Sequence, residues 1–137
     1  MTVPNLTDRE KIDLVLAMFA AWERKDWHAV ALTFTEDGIF HNIMLEPTVG
    51  RDAIEARLSR LRVAEPNSVL EMTVRHIGVI DGLVFVERFD SWKFDDIEGG
   101  IPVVGIFELR GTQIARWREV YDRSSLRREA GYPEGSA

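Results

Sequence analysis

The chain has 137 residues, of which 45% are hydrophobic and 29% charged, and its formal net charge is −6. This size and balance are typical of one globular domain, and the negative charge disfavours nucleic acid as a partner, because phosphate binding requires a basic surface. The chain has no cysteine, which excludes disulfides, thiolate catalysis and thiolate metal sites.

Three helices are predicted in the first half of the chain from apolar residues at helical spacing. The first begins at a capping box formed by Thr7 and Glu10, and the second at Asp26, a favoured N-cap residue. They run from the capping box to about residue 24, from Asp26 to a break at 36–38, and from residue 51 to about 63.

A short strand at 39–44 separates the second and third helices, and a loop follows it at 46–50. After residue 66 the chain is predicted to be sheet. The strands are expected at 69–80, 84–94, 101–109 and 113–122, joined by turns at 81–82 and 110–112 and by a loop at 95–100.

Helices followed by long strands with short turns are typical of an α+β fold. We expect a single domain over residues 1–137, with flexible ends at 1–6 and 124–137. Its N-terminal helices should pack over the concave face of a curved, cone-shaped antiparallel sheet. Such a concave interior is where a small molecule would bind.

The N-terminal residues have neither the basic region nor the apolar core of a signal peptide. No apolar run approaches the ~20 residues that span a membrane. We therefore expect a cytoplasmic protein with no membrane partner.

The strand predicted at 84–94 carries two charges within an apolar face. Alternate residues of a strand share a face, so Arg88 and Asp90 point the same way. They share that face with Val84, Val86, Trp92 and Phe94. This face is either an exposed strand or the floor of a pocket that holds a buried ion pair.

The neighbouring strands supply polar partners by the same alternation. On the last strand, the face with Trp117 and Tyr121 carries a single charge, Glu119, so we expect this face to point inward. On the short strand, Asn42 lies between Phe40 and Met44. Four polar side chains therefore converge on one candidate site, namely Asn42, Arg88, Asp90 and Glu119.

An arginine between two carboxylates can hydrogen-bond both and offset the cost of burying their charge. Two carboxylates with unlike surroundings can hold different protonation states, one acid and one base, which acid–base catalysis on a neutral substrate requires. The alternative is a purely structural ion pair of Arg88 with Asp90 or Glu119.

The apolar residues near these positions indicate a small, neutral, hydrophobic substrate. We expect five of them to contact it, namely Phe40, Met44, Val86, Trp92 and Trp117. The histidines have no metal-binding spacing, and no glycine pattern opens a helix after a strand, so we expect neither a metal nor a cofactor.

Apolar residues also occupy the opposite face of the 84–94 strand, namely Leu83, Phe85 and Phe89. A sheet that is partly apolar on both faces has a second surface to cover. We therefore expect a homodimer packed sheet to sheet.

The segments 87–90 (Glu-Arg-Phe-Asp) and 117–122 (Trp-Arg-Glu-Val-Tyr-Asp), with Asn42 and segment 50–55, resemble the limonene epoxide hydrolase family. That family belongs to the nuclear transport factor 2-like and polyketide-cyclase-like superfamily, and the resemblance covers about residues 10–125. It implies hydrolysis of an epoxide in one step, with no covalent intermediate.

The resemblance also implies roles for the four polar residues. Asp90 would protonate the epoxide oxygen, and Glu119 would take a proton from water. Arg88 would bridge the two carboxylates, and Asn42 would help to hold the water.

Two residues depart from the family pattern, and both lie on the water-activating half of the site. Phe40 stands where the family usually has a tyrosine, and Glu119 where it usually has aspartate. An altered position of the base leaves two alternatives open. One is an isomerase or cyclase acting on a hydrophobic ring or polyketide, and the other is a non-catalytic ligand-binding or dimerisation domain.

Overall fold

The computed structural model describes residues 5–61, 66–95 and 97–130. In those ranges the chain forms four helices and six strands. The helices are α1 (Asp8–Glu23), α2 (Trp27–Leu32), α3 (Arg51–Leu58) and α4 (Arg123–Ala130). The strands are β1 (Phe34–Asn42), β2 (Thr48–Val49), β3 (Val69–Ile80), β4 (Leu83–Phe94), β5 (Ile97–Arg110) and β6 (Gln113–Val120).

The strands form one curved, unclosed sheet in the order β2-β1-β6-β5-β4-β3. This confirms the predicted α+β fold with helices packed on a curved sheet. The prediction of a fully antiparallel sheet was wrong for one pair, because β1 runs parallel to β6. Those two strands are far apart in the sequence, so no local turn signal reports how they pair.

Local capping and turn signals act as the sequence predicts. Thr7 Oγ1 accepts a hydrogen bond from the Glu10 backbone at 3.1 Å, and Glu10 Oε1 accepts one from the Thr7 backbone at 3.0 Å. The Asp26 carboxylate caps α2 by accepting from a backbone N–H three residues on. Asp81 and Gly82 both have positive φ, which closes the tight β3–β4 hairpin.

β1 begins at Phe34, five residues earlier than predicted, and so includes the segment 36–38 that was expected to be a break. Its register against β6 shifts between Phe34 and Ile39. A bulge of this kind allows a strand to pass through turn-forming residues. The short β2 pairs with β1 inside the loop predicted at 46–50.

β5 is also longer than predicted, because the glycines at 99 and 100 belong to the strand rather than to a loop. A Cβ on Gly99 would lie 2.6 Å from the Glu129 carbonyl oxygen, and one on Gly100 would lie 2.4 Å from the Phe89 ring. These glycines serve close packing, which composition alone cannot distinguish from turn formation. Other predicted ends also differ, since α2 ends at Leu32 and β6 at Val120. α3 ends at Leu58, and residue 63, its predicted end, lies outside the described residues.

α4 is an element that the sequence analysis did not predict, since a flexible terminus was expected from residue 124. This helix packs on the sheet, where the Trp92 indole Nε1 donates to the Glu129 carbonyl oxygen at 3.2 Å. Ala130 is buried against the core. Residues 131–137 lie outside the described residues.

The core lies between the helices and the inner face of the sheet and is centred on Trp117, which is fully buried. Its indole packs against the rings of Phe19, Trp22, Phe34, Phe40 and Phe107, with centroids 4.8–6.4 Å apart. None of the described helices has the length and apolar content needed to cross a membrane.

The outer face of the sheet carries Phe85 and Phe89, both half-buried, and the Arg75 guanidinium lies 5.2 Å from the centre of the Phe89 ring. The homodimer expected from this face stays a prediction.

Candidate active site

The charged face of β4 forms the floor of a pocket and is not an exposed strand. The inward residues of β4 are buried except Asp90, which is half-buried, and Arg88 is only 2% exposed. The alternation expected from the sequence therefore holds along the whole strand.

Arg88 is hydrogen-bonded to two carboxylates at once. Its Nε and Nη2 donate to Asp90 Oδ1 and Oδ2 at 2.8 and 3.0 Å. Its Nη1 donates to Glu119 Oε2 at 3.0 Å, and Nη2 also donates to Glu119 Oε1. The guanidinium carbon lies 5.1 Å from the Phe19 ring centre and 5.7 Å from that of Trp117, which adds cation–π attraction. Arg88 is thus held in one orientation.

The two carboxylates lie in unlike surroundings. Burial raises the pKa of Glu119 above its ordinary value, with opposition from the positive charge of Arg88. The Asp90 side chain is 15% exposed, and that of Glu119 is 6% exposed. Burial also lowers the pKa of Arg88, but the two carboxylates more than reverse this effect and leave the pKa raised, so Arg88 stays charged. The site therefore holds one deeply buried carboxylate, one partly solvated carboxylate and a fixed cation between them.

A bulge in β6 determines which of its residues face inward. Glu108 pairs with Arg116 and Leu109 with Ile114, so Ala115 is an extra residue without a partner on β5. Ile114 is therefore buried, although simple alternation placed it on the outer face. Beyond the bulge, the alternation that brings Glu119 to the interior is intact.

Asn42 reaches the site through the parallel pairing of β1 with β6. It lies in register with Glu119, and the next residue, Ile43, donates its backbone N–H to the Glu119 carbonyl oxygen at 3.0 Å. The four polar residues expected at the site, Asn42, Arg88, Asp90 and Glu119, all line one cavity of about 280 Å³.

The five residues expected to contact substrate divide into two groups. Phe40 and Trp92 line the cavity. Val86 and Trp117 are fully buried in the core and do not line it, and Met44 is 37% exposed outside it. β1 ends at Asn42, and the turn that follows brings Leu45 into the cavity in place of Met44.

Several cavity residues were missed by the sequence analysis. Alternation placed Tyr121 on the inward face of the last strand, but it was not named as a site residue. Arg57, Arg123 and Arg127 also line the cavity, two of them on the unpredicted helix α4.

The histidines take no part in the site. His28 pairs with Glu55 and His76 with Glu87 at the surface. Among the described residues, no three His, Asp or Glu side chains are placed to share a metal ion.

Gly105 on β5 is a further residue of the site that has no side-chain chemistry of its own. It pairs with Val86 on one side and Glu119 on the other. A Cβ at this position would lie 2.8 Å from Arg88 Nη1 and 2.9 Å from Glu119 Oε2. A glycine is therefore required for the buried ion pair to sit against the sheet.

Gly105→Ala is expected to disrupt the site, because the added methyl group forces Arg88 and Glu119 apart. We expect a loss of about 1–3 kcal/mol in the free energy of unfolding, measured by urea denaturation. Gly78→Ala on β3 is the matched control, since a Cβ there meets nothing within 4 Å. Equal stability of the two variants would contradict the role assigned to Gly105.

A comparison with the sequence models of known families shows which family the chain belongs to. The sequence model of the limonene-1,2-epoxide hydrolase catalytic domain matches residues 9–130. The chain belongs to this family. It has Arg88 and Asp90 on β4, Glu119 on β6 and Phe40 on β1.

Solved structures place this limonene-1,2-epoxide hydrolase family member among similar folds. An LEH-like epoxide hydrolase from M. tuberculosis matches with a TM-score of 0.77 at 22% identity, over 89% of this chain and 90% of that one. SalBIII, an epoxide hydrolase/cyclase-like enzyme with a role in pyran ring formation in the polyether salinomycin, matches with a TM-score of 0.73 at 17% identity, over 85% and 94%. An NTF2-like protein from Burkholderia xenovorans matches with a TM-score of 0.71 at 18% identity, over 91% and 98%. These likenesses confirm the fold expected from the sequence.

Proposed function

We propose that this protein is an epoxide hydrolase that adds water to a small hydrophobic epoxide in one acid–base step. The observation that carries the proposal is the pair of carboxylates, Asp90 and Glu119, held by Arg88 inside a mainly apolar cavity. Two carboxylates in unlike surroundings can act as an acid and a base on a substrate that is bound in the same cavity.

In the proposed reaction, Asp90 is the general acid and Glu119 the general base, the roles that the resemblance to the family implies. The oxygen of a water molecule bonds to one epoxide carbon while Glu119 takes a proton from that water. The bond between this carbon and the epoxide oxygen breaks as Asp90 gives its proton to the oxygen. The product is a vicinal diol, and exchange of one proton through solvent restores the starting state.

The positions of these residues in the cavity support the proposed roles. Glu119 lies in register with Asn42, so an amide is placed beside the base to help hold the water. Burial raises the pKa of Glu119, which makes it a stronger base than an exposed glutamate. Asp90 is the more exposed carboxylate, which allows its proton to be replaced from solvent.

Tyr121 offers a phenol on the water-activating half of the site, where Phe40 has none. It follows Glu119 by two residues and lines the same cavity. A phenol can both donate and accept a hydrogen bond, so Tyr121 can help to hold the water, which the phenyl ring of Phe40 cannot do.

A second candidate function is cyclisation or isomerisation of a hydrophobic ring or polyketide. The structural likeness to SalBIII favours it, and the same acid and base would act on a hydroxyl of the substrate instead of on water. A non-catalytic binding domain would leave Arg88 and its partners as a structural ion pair.

Incubation of the purified protein with a panel of hydrophobic epoxides tests these functions, with products separated by chromatography and identified by mass spectrometry. We expect a vicinal diol from at least one neutral epoxide, above the rate without enzyme. A hydroxy-epoxide in the panel that closes to a ring without uptake of water supports the second function. Absence of any product from the whole panel would contradict both catalytic functions.

A further inference from the structure

The cavity carries more positive charge than the proposed reaction uses. Four arginines line it, but Asp90 and Glu119 are the only carboxylates among the described residues that do so. Both carboxylates are hydrogen-bonded to Arg88. The other three arginines, Arg57, Arg123 and Arg127, are half-buried, and we call them the rim arginines.

Two of the rim arginines are carried by α4, whose inner face covers part of the cavity. Arg123, Leu126, Arg127 and Ala130 line the cavity at helical spacing and therefore share one face of the helix. The packing of α4 on Trp92 through the Glu129 carbonyl holds this face in place. The charges of α4 are thus directed at the cavity by a fixed element.

Arg57 lines the cavity from α3. Its guanidinium carbon lies 5.3 Å from the centre of the Phe40 ring, and its Nη1 donates to Thr48 Oγ1 at 2.8 Å. This bond uses one of its five N–H donors. Arg57 therefore presents an oriented guanidinium beside the water-activating half of the site.

Two of the rim arginines, Arg57 and Arg127, are not paired with a carboxylate in the described part of the chain. Arg127 Nε is buried and meets no acceptor in those ranges. A buried donor without an acceptor is costly, and an anionic ligand would supply the acceptor. The protein as a whole is negatively charged, so the positive charge of the rim arginines is a local feature of the cavity.

We propose that the substrate carries a carboxylate, which Arg57 and Arg127 bind at the rim while an apolar body extends inward to Arg88. The carboxylate matches the planar fork of an arginine and gives charge-assisted hydrogen bonds. This adds an anionic group to the neutral hydrophobic substrate expected from the sequence. The inference rests on the proposed function for the reaction that follows binding, but the binding itself is testable without turnover.

Binding of octanoate and of octanamide tests the inference, because the two probes have the same shape and differ in charge. Trp22 and Trp92 line the cavity, so their fluorescence reports occupancy. We expect octanoate to bind the parent protein about tenfold more tightly at low salt. Added salt should reduce this preference, since the rim is partly exposed to solvent.

Two variants and one control assign the preference to residues. Arg127→Gln and Arg57→Gln should each bring the ratio of octanoate to octanamide affinity towards one. Arg128→Gln, an exposed arginine on α4 that bonds Ser125 instead of lining the cavity, should leave the ratio as in the parent. Thermal melting of all three variants shows whether they fold, and the salt dependence in the parent needs no variant at all.

Equal affinity of the parent protein for octanoate and octanamide would overturn the inference, as would a preference that both glutamine variants retain. The outcome is separable from that of the epoxide panel. A preference for octanoate without any diol from the panel would reject the hydrolase function and leave the anionic rim standing. Diol formation with no preference for octanoate would support the hydrolase function and reject the anionic substrate.

Discussion

Asp90→Asn is expected to lower kcat for a hydrophobic epoxide by about 10²–10⁴-fold, the usual contribution of a general acid or base. Asparagine keeps the shape of the side chain, and its oxygen can still accept from Arg88, but its amide cannot supply the proton that the epoxide oxygen needs. Steady-state diol formation measures the loss.

A matched surface variant separates this effect from a general effect of lost charge. Asp13→Asn removes a carboxylate that pairs with Arg9 on the exposed face of α1, and it should leave kcat unchanged. Thermal melting should show that Asp90→Asn is folded, since Arg88 keeps its bonds to Glu119. An unchanged kcat in a folded Asp90→Asn protein would remove Asp90 from the reaction.

Glu119→Gln is expected to lower kcat by a similar factor of about 10²–10⁴, because an amide cannot accept the proton of the attacking water. Glu119→Asp is its matched control, since it keeps the carboxylate and restores the residue usual in the family. That variant should retain or raise activity. A glutamine variant as active as the parent would show that Glu119 is not the base.

The pH profile of the parent gives a second readout of the same residue. Glu119 must be ionised to accept a proton, so kcat/KM should fall as the pH is lowered through its pKa. Because burial raises that pKa, the fall should be centred above 4.5, the ordinary value for a glutamate.

Much of the site was predictable because a strand has a simple period. Arg88 and Asp90 followed from alternation along one apolar strand, and Glu119 and Asn42 followed from the same rule on neighbouring strands. Burial of the charged face is dictated by the apolar residues on either side of it. The capping box at Thr7, the N-cap at Asp26 and the hairpin turn at 81–82 are likewise local signals, and they appear in the structure where they were expected.

The remaining differences come from contacts between distant parts of the chain. The parallel pairing of β1 with β6 and the bulge at Ala115 depend on register, which a single strand does not encode. The sequence places Gly105 in a strand but does not show that the ion pair of Arg88 and Glu119 packs against it.

The charge of the cavity was missed for the same reason. Arg127 belongs to a short polar segment that becomes a helix by packing on β5, and Arg57 belongs to the apolar stripe of a helix predicted from its spacing. Neither position reveals from the sequence that both side chains end in one cavity. The expected substrate was therefore neutral, whereas the arrangement of arginines favours an anion.

A single-turnover reaction in H₂¹⁸O, with enzyme in excess over an epoxide that the panel identifies, tests the central claim most directly. Direct attack by water held between Asn42 and Glu119 places one ¹⁸O atom in the diol during the first turnover. An unlabelled diol from that first turnover would show that an enzyme carboxylate oxygen had attacked the epoxide, and would contradict the one-step reaction.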